Sequence, residues 1–144
     1  MAESRLTRSQ KQFILQRSHY CCEYCISQTK YSSVTFSIEH TFPRSKGGAN
    51  DLENLAIACQ SCNNAKYNHT EAIDPITGKY VPLYNPRQDR WRSHFVWSDD
   101  YSLIIGRTQT GRATVARLDL NREGVVNLRQ ALHSLDKHPP DYFN

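Results

Sequence analysis

Cys59-Gln60-Ser61-Cys62 repeats the spacing of Cys22-Glu23-Tyr24-Cys25, and the two segments form the strongest signal in the chain. Each C-x-x-C segment presents two thiolates to one ion, and zinc prefers four such ligands in a tetrahedron. Four thiolates leave no position for water, so the Zn²⁺ that we predict at these cysteines is structural. The alternative interpretation is a set of buried, reduced cysteines.

The fifth cysteine, Cys21, stands directly before the first segment. It could replace Cys22 as a ligand in a C-x-x-x-C arrangement, although the shorter C-x-x-C loop is the more usual one. The odd number of cysteines argues against a disulfide framework, as does the lack of an apolar secretory signal in the first residues.

The segment between the two cysteine pairs has 33 residues, which is more than in a simple zinc ribbon. Its residues 31–40 alternate apolar and polar side chains, and they predict a β-strand that ends at Glu39-His40. In that strand His40 shares a side with Ile38, and Glu39 faces the other way. A proline turn and a double glycine follow. A strand end does not require an acid beside an imidazole, so this pair is a candidate for chemistry.

Residues 63–73 contain no helix breaker and predict a helix directly after the second cysteine pair. On such a helix Asn63 and Lys66 share one face, and His69 lies close to it. A metal that joins the start of the strand to the start of the helix would bring the end of the strand opposite Asn63.

Four further elements are predicted outside this core: a helix over 7–18, a hairpin around 98–100, and helices over 110–118 and 121–135. Thr7 or Ser9 could cap the first helix, and Asn121 the last. The final residues, from Lys137, predict a frayed tail. We predict one α+β domain over 1–144, with a core over 18–70 and a C-terminal elaboration over 75–135 made of the hairpin and short helices.

The composition is that of a compact globular protein with a small core. Of the 144 residues 38% are hydrophobic, and the mean hydropathy is −0.68, so a structural metal would offset limited apolar burial. The chain lacks an apolar run of about 18 residues, so we expect no membrane span and a cytoplasmic location. The net charge of +4 is weak evidence for a polyanionic partner.

The order and spacing of these residues resemble the zinc-knuckle form of the HNH endonucleases. The resemblance rests on Cys22-x-x-Cys25, Ile38-Glu39-His40, Pro43, Gly47-Gly48, Asn54-Leu55, Cys59-x-x-Cys62-Asn63 and Lys66. It implies a ββα-metal fold for the core and metal-dependent cleavage of DNA, with double-stranded DNA as the expected partner.

The resemblance also implies a role for individual residues. His40 resembles the general base that activates water, Asn54 the residue that holds the loop bearing the base, and Asn63 the helix residue that completes the metal site. Glu39 stands where the family usually has an aspartate ligand, which is a departure in side-chain length. His69 is the alternative third ligand for the catalytic ion, which would be one Mg²⁺ or Mn²⁺.

Elementary chemistry agrees with these roles. A phosphodiester is anionic and repels hydroxide, so its hydrolysis needs a deprotonated water and positive charge at the phosphate oxygens. An imidazole titrates near neutrality and can accept the proton of that water. Carboxylate and amide oxygens are the ligands that a hard divalent ion prefers.

Cations are placed where they could contact nucleic acid. The candidates are Arg44, Lys46 and Lys66 near the predicted site, and Arg87, Arg90 and Arg92 around Trp91. Contacts of this kind bind phosphate oxygens, depend on salt and carry no sequence information. Three alternatives stay open: a catalytically silent zinc-knuckle module that binds DNA, an interaction domain that does not bind DNA, and a nuclease for RNA or for particular nucleic-acid structures.

Overall fold

The computed structural model describes residues 6–143. Its internal contacts divide the chain into two compact units. The first contains the described residues up to Thr70 together with Asn85–Arg87, and the second contains Glu71–Tyr84 and the residues from Gln88 onward. Both units mix helices with antiparallel strand pairs, which confirms the predicted α+β class. The organisation of 1–144 as a single domain stays a prediction.

The helices and strands are short. The helices are α1 (Arg8–Arg17), α2 (Gln60–Lys66), α3 (Trp91–His94), α4 (Gln109–Leu118) and α5 (Glu123–Ser134). The strands are β1 (Phe36–His40), β2 (Leu55–Cys59), β3 (Glu71–Ile73), β4 (Tyr80–Pro82), β5 (Phe95–Trp97) and β6 (Ile104–Gly106). Single 3₁₀ turns occupy Thr29–Tyr31, Arg44–Lys46, Leu52–Asn54 and Asp141–Phe143.

The β1–β2 hairpin is the centre of the first unit. Its strands are antiparallel, with Phe36 opposite Cys59 and His40 opposite Leu55, and every residue of β2 is buried. Ile14 of α1 packs on the hairpin in the core cluster. Thr7 caps α1 and exchanges hydrogen bonds with Gln10, so the first predicted helix and one of its two candidate caps are confirmed.

The structure corrects two element boundaries. Strand β1 is shorter than the predicted 31–40, because its partner β2 offers only five residues for pairing. The helix predicted over 63–73 ends at Lys66, because Tyr67 adopts a positive φ of 51° and its N–H caps the carbonyl of Asn63. Residues 71–73 instead form β3 and pair with β4, so tertiary pairing overrides local helical preference.

The second unit contains the β3–β4 and β5–β6 hairpins with α3, α4 and α5. The predicted hairpin around 98–100 and both predicted helices are confirmed. An ion pair stabilises this unit: Arg112 holds both oxygens of the buried Asp74 carboxylate at 2.9 Å, and these hydrogen bonds keep the pKa of that carboxyl well below its ordinary value.

Two predictions about the second unit are wrong. Asn121 does not cap α5, since Arg122 takes the N-cap position. The Asn121 side-chain amide instead accepts from the Ile104 N–H at 2.8 Å and donates to the Ile104 carbonyl at 2.9 Å. The tail does not fray at His138, which is buried and packs edge-on against Trp97 with ring centroids 4.6 Å apart. Packing on an aromatic ring outweighs the disorder that the polar, proline-rich tail predicts. Over residues 6–143, the structure contains no helix of the length and apolarity that crossing a membrane requires.

Candidate functional site

Four buried cysteines converge in the first unit. The Sγ atoms of Cys22, Cys25, Cys59 and Cys62 all lie within 4.8 Å of one another. The Cys25 and Cys59 Sγ atoms are 3.7 Å apart, and a tetrahedral zinc with bonds of about 2.3 Å needs sulfur atoms about 3.8 Å apart. The donor set and spacing therefore fit a structural zinc. Cys21 lies outside the cluster, and its thiol donates to the carbonyl of His19.

The cluster ties three elements together. The first pair lies in a turn after α1, Cys59 ends β2, and Cys62 lies in the first turn of α2. The Glu23 N–H donates to the carbonyl of Ile57 at 2.9 Å, which attaches this turn to the hairpin. Hydrogen bonds from the neighbouring thiols hold the pKa of Cys25 well below its ordinary value, whereas burial raises the pKa of Cys22 well above it. Bringing a cation among these sulfur atoms relieves the cost of burying their charge.

His40 is the last residue of β1 and is half-buried. Its Nε2 lies 3.2 Å from Oδ1 of Asn50. Because an amide oxygen only accepts, this contact in a neutral imidazole requires the proton on Nε2 and leaves Nδ1 as the acceptor. No sequence pattern predicted a role for Asn50. Its position just after the double glycine, in the loop that returns to β2, is the only sequence signal that could have suggested it.

Asn54 holds the loop that follows His40. Its Nδ2 donates to the carbonyls of Phe42 and Ala49 at 3.0 and 2.7 Å, and its Oδ1 accepts from Thr41 Oγ1 and Phe42 N at 2.7 and 2.8 Å. The loop is thus pinned at both ends by one amide side chain.

The double glycine serves the same loop in two ways. Gly47 has a φ of +93°, which a side chain would strain. A Cβ on Gly48 would lie 1.9 Å from the carbonyl oxygen of Phe42, so the loop can close on itself only with glycine there. The turn predicted from the sequence is therefore confirmed, and both glycines have a physical reason.

Glu39 points away from the His40 side of β1, as the strand alternation predicted. Its side chain is only 5% exposed; Oε1 accepts from Lys66 Nζ at 3.3 Å, and Oε2 accepts a hydrogen bond from the Tyr24 hydroxyl. Lys66 Nζ also donates to the carbonyl of Thr41 at 3.3 Å. Burial raises the pKa of Glu39, against the opposing charge of Lys66, and burial together with the Glu39 charge raises the pKa of Tyr24 well above its ordinary value.

Asn63 lies on α2 beside the face of β1 that carries Glu39. Its Nδ2 donates to Oγ of Ser37 at 3.2 Å, and Ser37 and Glu39 share one face of the strand because side chains alternate. The structure therefore brings Glu39, Asn63 and Lys66 to one side of the hairpin, and His40 to its end. His69 follows the end of α2, with its ring edge-on to Tyr67 at 6.4 Å.

The predicted nucleic-acid contacts fall into two groups. Arg44, Lys46, Arg90 and Arg92 are exposed. Lys66 is buried on Glu39, and Arg87 forms an ion pair with Glu23 in which the two side chains are only 10% and 11% exposed. Arg87 and Lys66 are thus already engaged inside the first unit, and their contact with phosphate stays a prediction.

The segment that contains these residues matches a known protein family. Residues 22–69 match the model of the HNH endonuclease family. This HNH segment begins at the first cysteine ligand and ends at His69, and it covers about a third of the chain. No curated protein and no solved structure matches the chain. The HNH match indicates a nuclease or nucleic-acid-binding function, and the four-cysteine cluster inside it gives the zinc-knuckle form that the sequence predicted.

The buried ion pair between Lys66 and Glu39 leads to a first testable prediction. Lys66→Met should lower the free energy of unfolding by about 3–5 kcal/mol, because it leaves the Glu39 carboxylate buried without its cation. Chemical denaturation of the 144-residue chain measures the change. Lys46→Met is the matched control: this lysine is exposed in the neighbouring loop, so its change should stay within about 0.5 kcal/mol.

A double variant separates the charge from the packing. Adding Glu39→Gln to Lys66→Met removes the orphaned charge, and it should recover much of the lost stability. If Lys66→Met is as harmless as Lys46→Met, the buried pair does not exist in solution.

Proposed function

We propose that this chain is a metal-dependent HNH endonuclease that hydrolyses DNA phosphodiester bonds, by nicking one strand or cutting both. The observation that carries the proposal is His40 at the end of β1, with Nε2 bonded to Asn50 and its following loop pinned by Asn54, inside the HNH segment. An oriented imidazole on a fixed loop is the arrangement that general-base catalysis needs.

In this proposal Nδ1 of His40 removes a proton from water, and the resulting hydroxide attacks the phosphorus atom. The ester P–O bond on the opposite side of the phosphorus breaks, and solvent water protonates the departing alkoxide oxygen. Asn50 acts as a positioning residue, because its amide oxygen holds the ring and the tautomer in which Nδ1 is basic. Asn54 positions the loop rather than touching the reacting atoms. General-base catalysis of this kind contributes on the order of 10²–10⁴-fold in rate.

The proposed catalytic ion is Mg²⁺ or Mn²⁺, with Glu39 and Asn63 as protein ligands and His69 as the alternative to Asn63. When bound, such an ion supplies positive charge to the phosphate oxygens. The donor types fit, since a carboxylate and an amide share one face of the hairpin. The Glu39 carboxylate, however, already accepts from Lys66 and Tyr24, so an ion there would compete with the Lys66 ammonium for Oε1.

The buried ion pair between Lys66 and Glu39 supports the second candidate function, a catalytically silent module that binds DNA. A buried ammonium on Glu39 satisfies the carboxylate without a divalent ion, as expected of a zinc-knuckle module that binds DNA and does not cut it. In both candidates the partner is DNA, which we propose is double-stranded. Of the predicted phosphate contacts, Arg44 and Lys46 near His40, and Arg90 and Arg92 in the second unit, are exposed for that role.

A plasmid assay separates the two candidates. The zinc-loaded 144-residue chain is incubated with supercoiled plasmid and Mg²⁺, Mn²⁺ or no added divalent ion, and the open-circle and linear forms are quantified. Cleavage that requires Mg²⁺ or Mn²⁺ supports the endonuclease. Salt-sensitive plasmid binding without cleavage over the whole metal range supports the silent module. A matching RNA substrate tests whether the activity is confined to DNA.

Asn54 provides a test of the loop. Asn54→Asp keeps the accepting oxygen but removes the Nδ2 donor to the carbonyls of Phe42 and Ala49, and we expect it to destabilise the first unit by about 1–3 kcal/mol. Plasmid cleavage should fall as the loop loosens, while zinc content stays unchanged. Asn64→Asp is the matched control, since Asn64 is exposed on α2 and accepts one bond from Gln60. Equal effects of the two changes would contradict the role of Asn54.

A further inference from the structure

The second unit contains a cavity of about 360 Å³ that the HNH segment does not explain. Its buried lining is aromatic: Trp91 and Phe95 are almost fully covered, and the rings of Trp91 and Trp97 lie 5.3 Å apart. Its exposed lining includes Arg92, Arg107 and Tyr101. An apolar floor with charged donors at its mouth is typical of a ligand site, and the volume is within the usual range.

The two arginines point to an anionic ligand. Arg107 Nη1 donates to the carbonyl of Arg92 at 2.9 Å, which holds the Arg107 side chain beside α3. A guanidinium group only donates hydrogen bonds and binds phosphate oxygens well. Asp99 is the one acid among the described lining residues, so the charged lining keeps a net positive charge.

Tyr101 offers a ring that is already held in place. Its φ is +62°, its N–H donates to the Ser98 carbonyl at 2.9 Å, and its own carbonyl accepts from His138 Nε2 at 2.9 Å. The Tyr101 ring packs against the His133 ring, with their centroids 5.1 Å apart, and Tyr101 is 38% exposed. A fixed aromatic ring loses little conformational entropy when a flat ligand packs on it.

A flat apolar ring and a phosphate occur together in a nucleotide. We propose that this cavity binds an unstacked nucleotide of single-stranded DNA, with the phosphate at Arg92 and Arg107 and the base against the aromatic lining that includes Tyr101. Base faces are available to protein rings only where the strand is unpaired, so the site should prefer single strands to duplex. The choice of DNA as the polymer rests on the proposed function.

Fluorescence anisotropy tests the inference on the zinc-loaded full chain without added Mg²⁺ or Mn²⁺. The probes are a labelled single strand of about 12 nucleotides, the duplex of the same sequence, and free dAMP as competitor. Tyr101→Ala should raise the Kd for the single strand about 5-fold or more, and Tyr101→Phe should restore it. Tyr80→Ala is the matched control, because Tyr80 is 70% exposed on β4 and does not line the cavity.

Salt titration tests the arginines. Arg92→Ala and Arg107→Ala should each lower the slope of log Kd against log salt concentration by about 0.7, whereas Lys79→Ala, an exposed cation outside the cavity, should leave it unchanged. Tryptophan emission checks that each variant keeps the aromatic packing of the second unit, because both tryptophans of the chain, Trp91 and Trp97, line the cavity.

Several outcomes would overturn the inference. Equal binding by Tyr101→Ala and Tyr80→Ala excludes the cavity as the site, and an equal effect of Tyr101→Ala on single strand and duplex excludes the unstacked nucleotide. If the protein cleaves plasmid but Tyr101→Ala does not change the Kd for the single strand, only this inference is excluded. If Tyr101→Ala raises that Kd but the protein never cleaves plasmid, only the proposed nuclease function is excluded.

Discussion

His40→Ala should lower the rate of plasmid cleavage by roughly 10²–10⁴-fold, because it removes the proposed general base. The imidazole is half-buried at the end of β1, and its one described hydrogen bond goes to Asn50, so the change removes little packing. Zinc content and the denaturation midpoint should therefore stay near those of the unaltered protein. Single-turnover cleavage of supercoiled plasmid at saturating Mg²⁺ or Mn²⁺ measures the effect.

Two companion variants sharpen this result. Asn50→Ala should reduce cleavage less than His40→Ala, since it frees the ring without removing the base. Asn63→Ala and His69→Ala, compared over a titration with Mg²⁺ or Mn²⁺, show which residue binds the catalytic ion together with Glu39. Replacing the residue that binds the ion should raise the metal concentration needed for cleavage, and replacing the other should not. Full cleavage activity in His40→Ala would exclude His40 as the general base, although the protein would still be a nuclease.

Removal of zinc should unfold the first unit. Zinc bound by four thiolates contributes on the order of 10 kcal/mol to the folded state, which is comparable to the whole stability of a typical domain. The cluster joins the turn after α1, the end of β2 and the start of α2, so its loss detaches all three. A strong chelator, or Cys62→Ser, should remove most of the far-ultraviolet circular dichroism signal of this unit.

The control for zinc removal is Cys21→Ser, since Cys21 is buried next to the cluster but lies outside it. This variant should retain one zinc per chain by elemental analysis and should stay folded. Tryptophan emission adds a second readout, because both tryptophans lie in the second unit. If emission changes together with the dichroism, the chain unfolds as the single predicted domain. A pure, folded protein that contains no zinc would contradict the structural metal.

Much of the fold could be predicted from residue patterns within a few positions of one another. The two C-x-x-C segments, the alternation that ends at His40, the Thr7 cap and the helices α4 and α5 all follow from local spacing. Each depends on chemistry that the neighbouring residues supply themselves, such as a capping hydroxyl or the periodic side of a strand. The family match over residues 22–69 then agreed with the resemblance that the ordered residues indicated.

The state of the candidate site could not be predicted in this way. The strand pattern correctly turned Glu39 away from His40, but it could not show that Tyr24 and Lys66 would meet the carboxylate. Nor could it show that Asn50 would hold the His40 ring. These partners are 10 to 27 residues away in the chain, and the β1–β2 register and the packing of α2 bring them close.

The end of α2 likewise separates what the local sequence predicts from what tertiary pairing decides. Local preference continued the helix past Lys66, whereas the structure ends it there and gives residues 71–73 to a strand pair. The chain by itself therefore indicated which groups could carry the chemistry and which four cysteines could hold a metal. Folding in three dimensions specified which of those groups are already bonded to one another, because burial makes every charge and amide find a partner wherever the backbone brings one within reach.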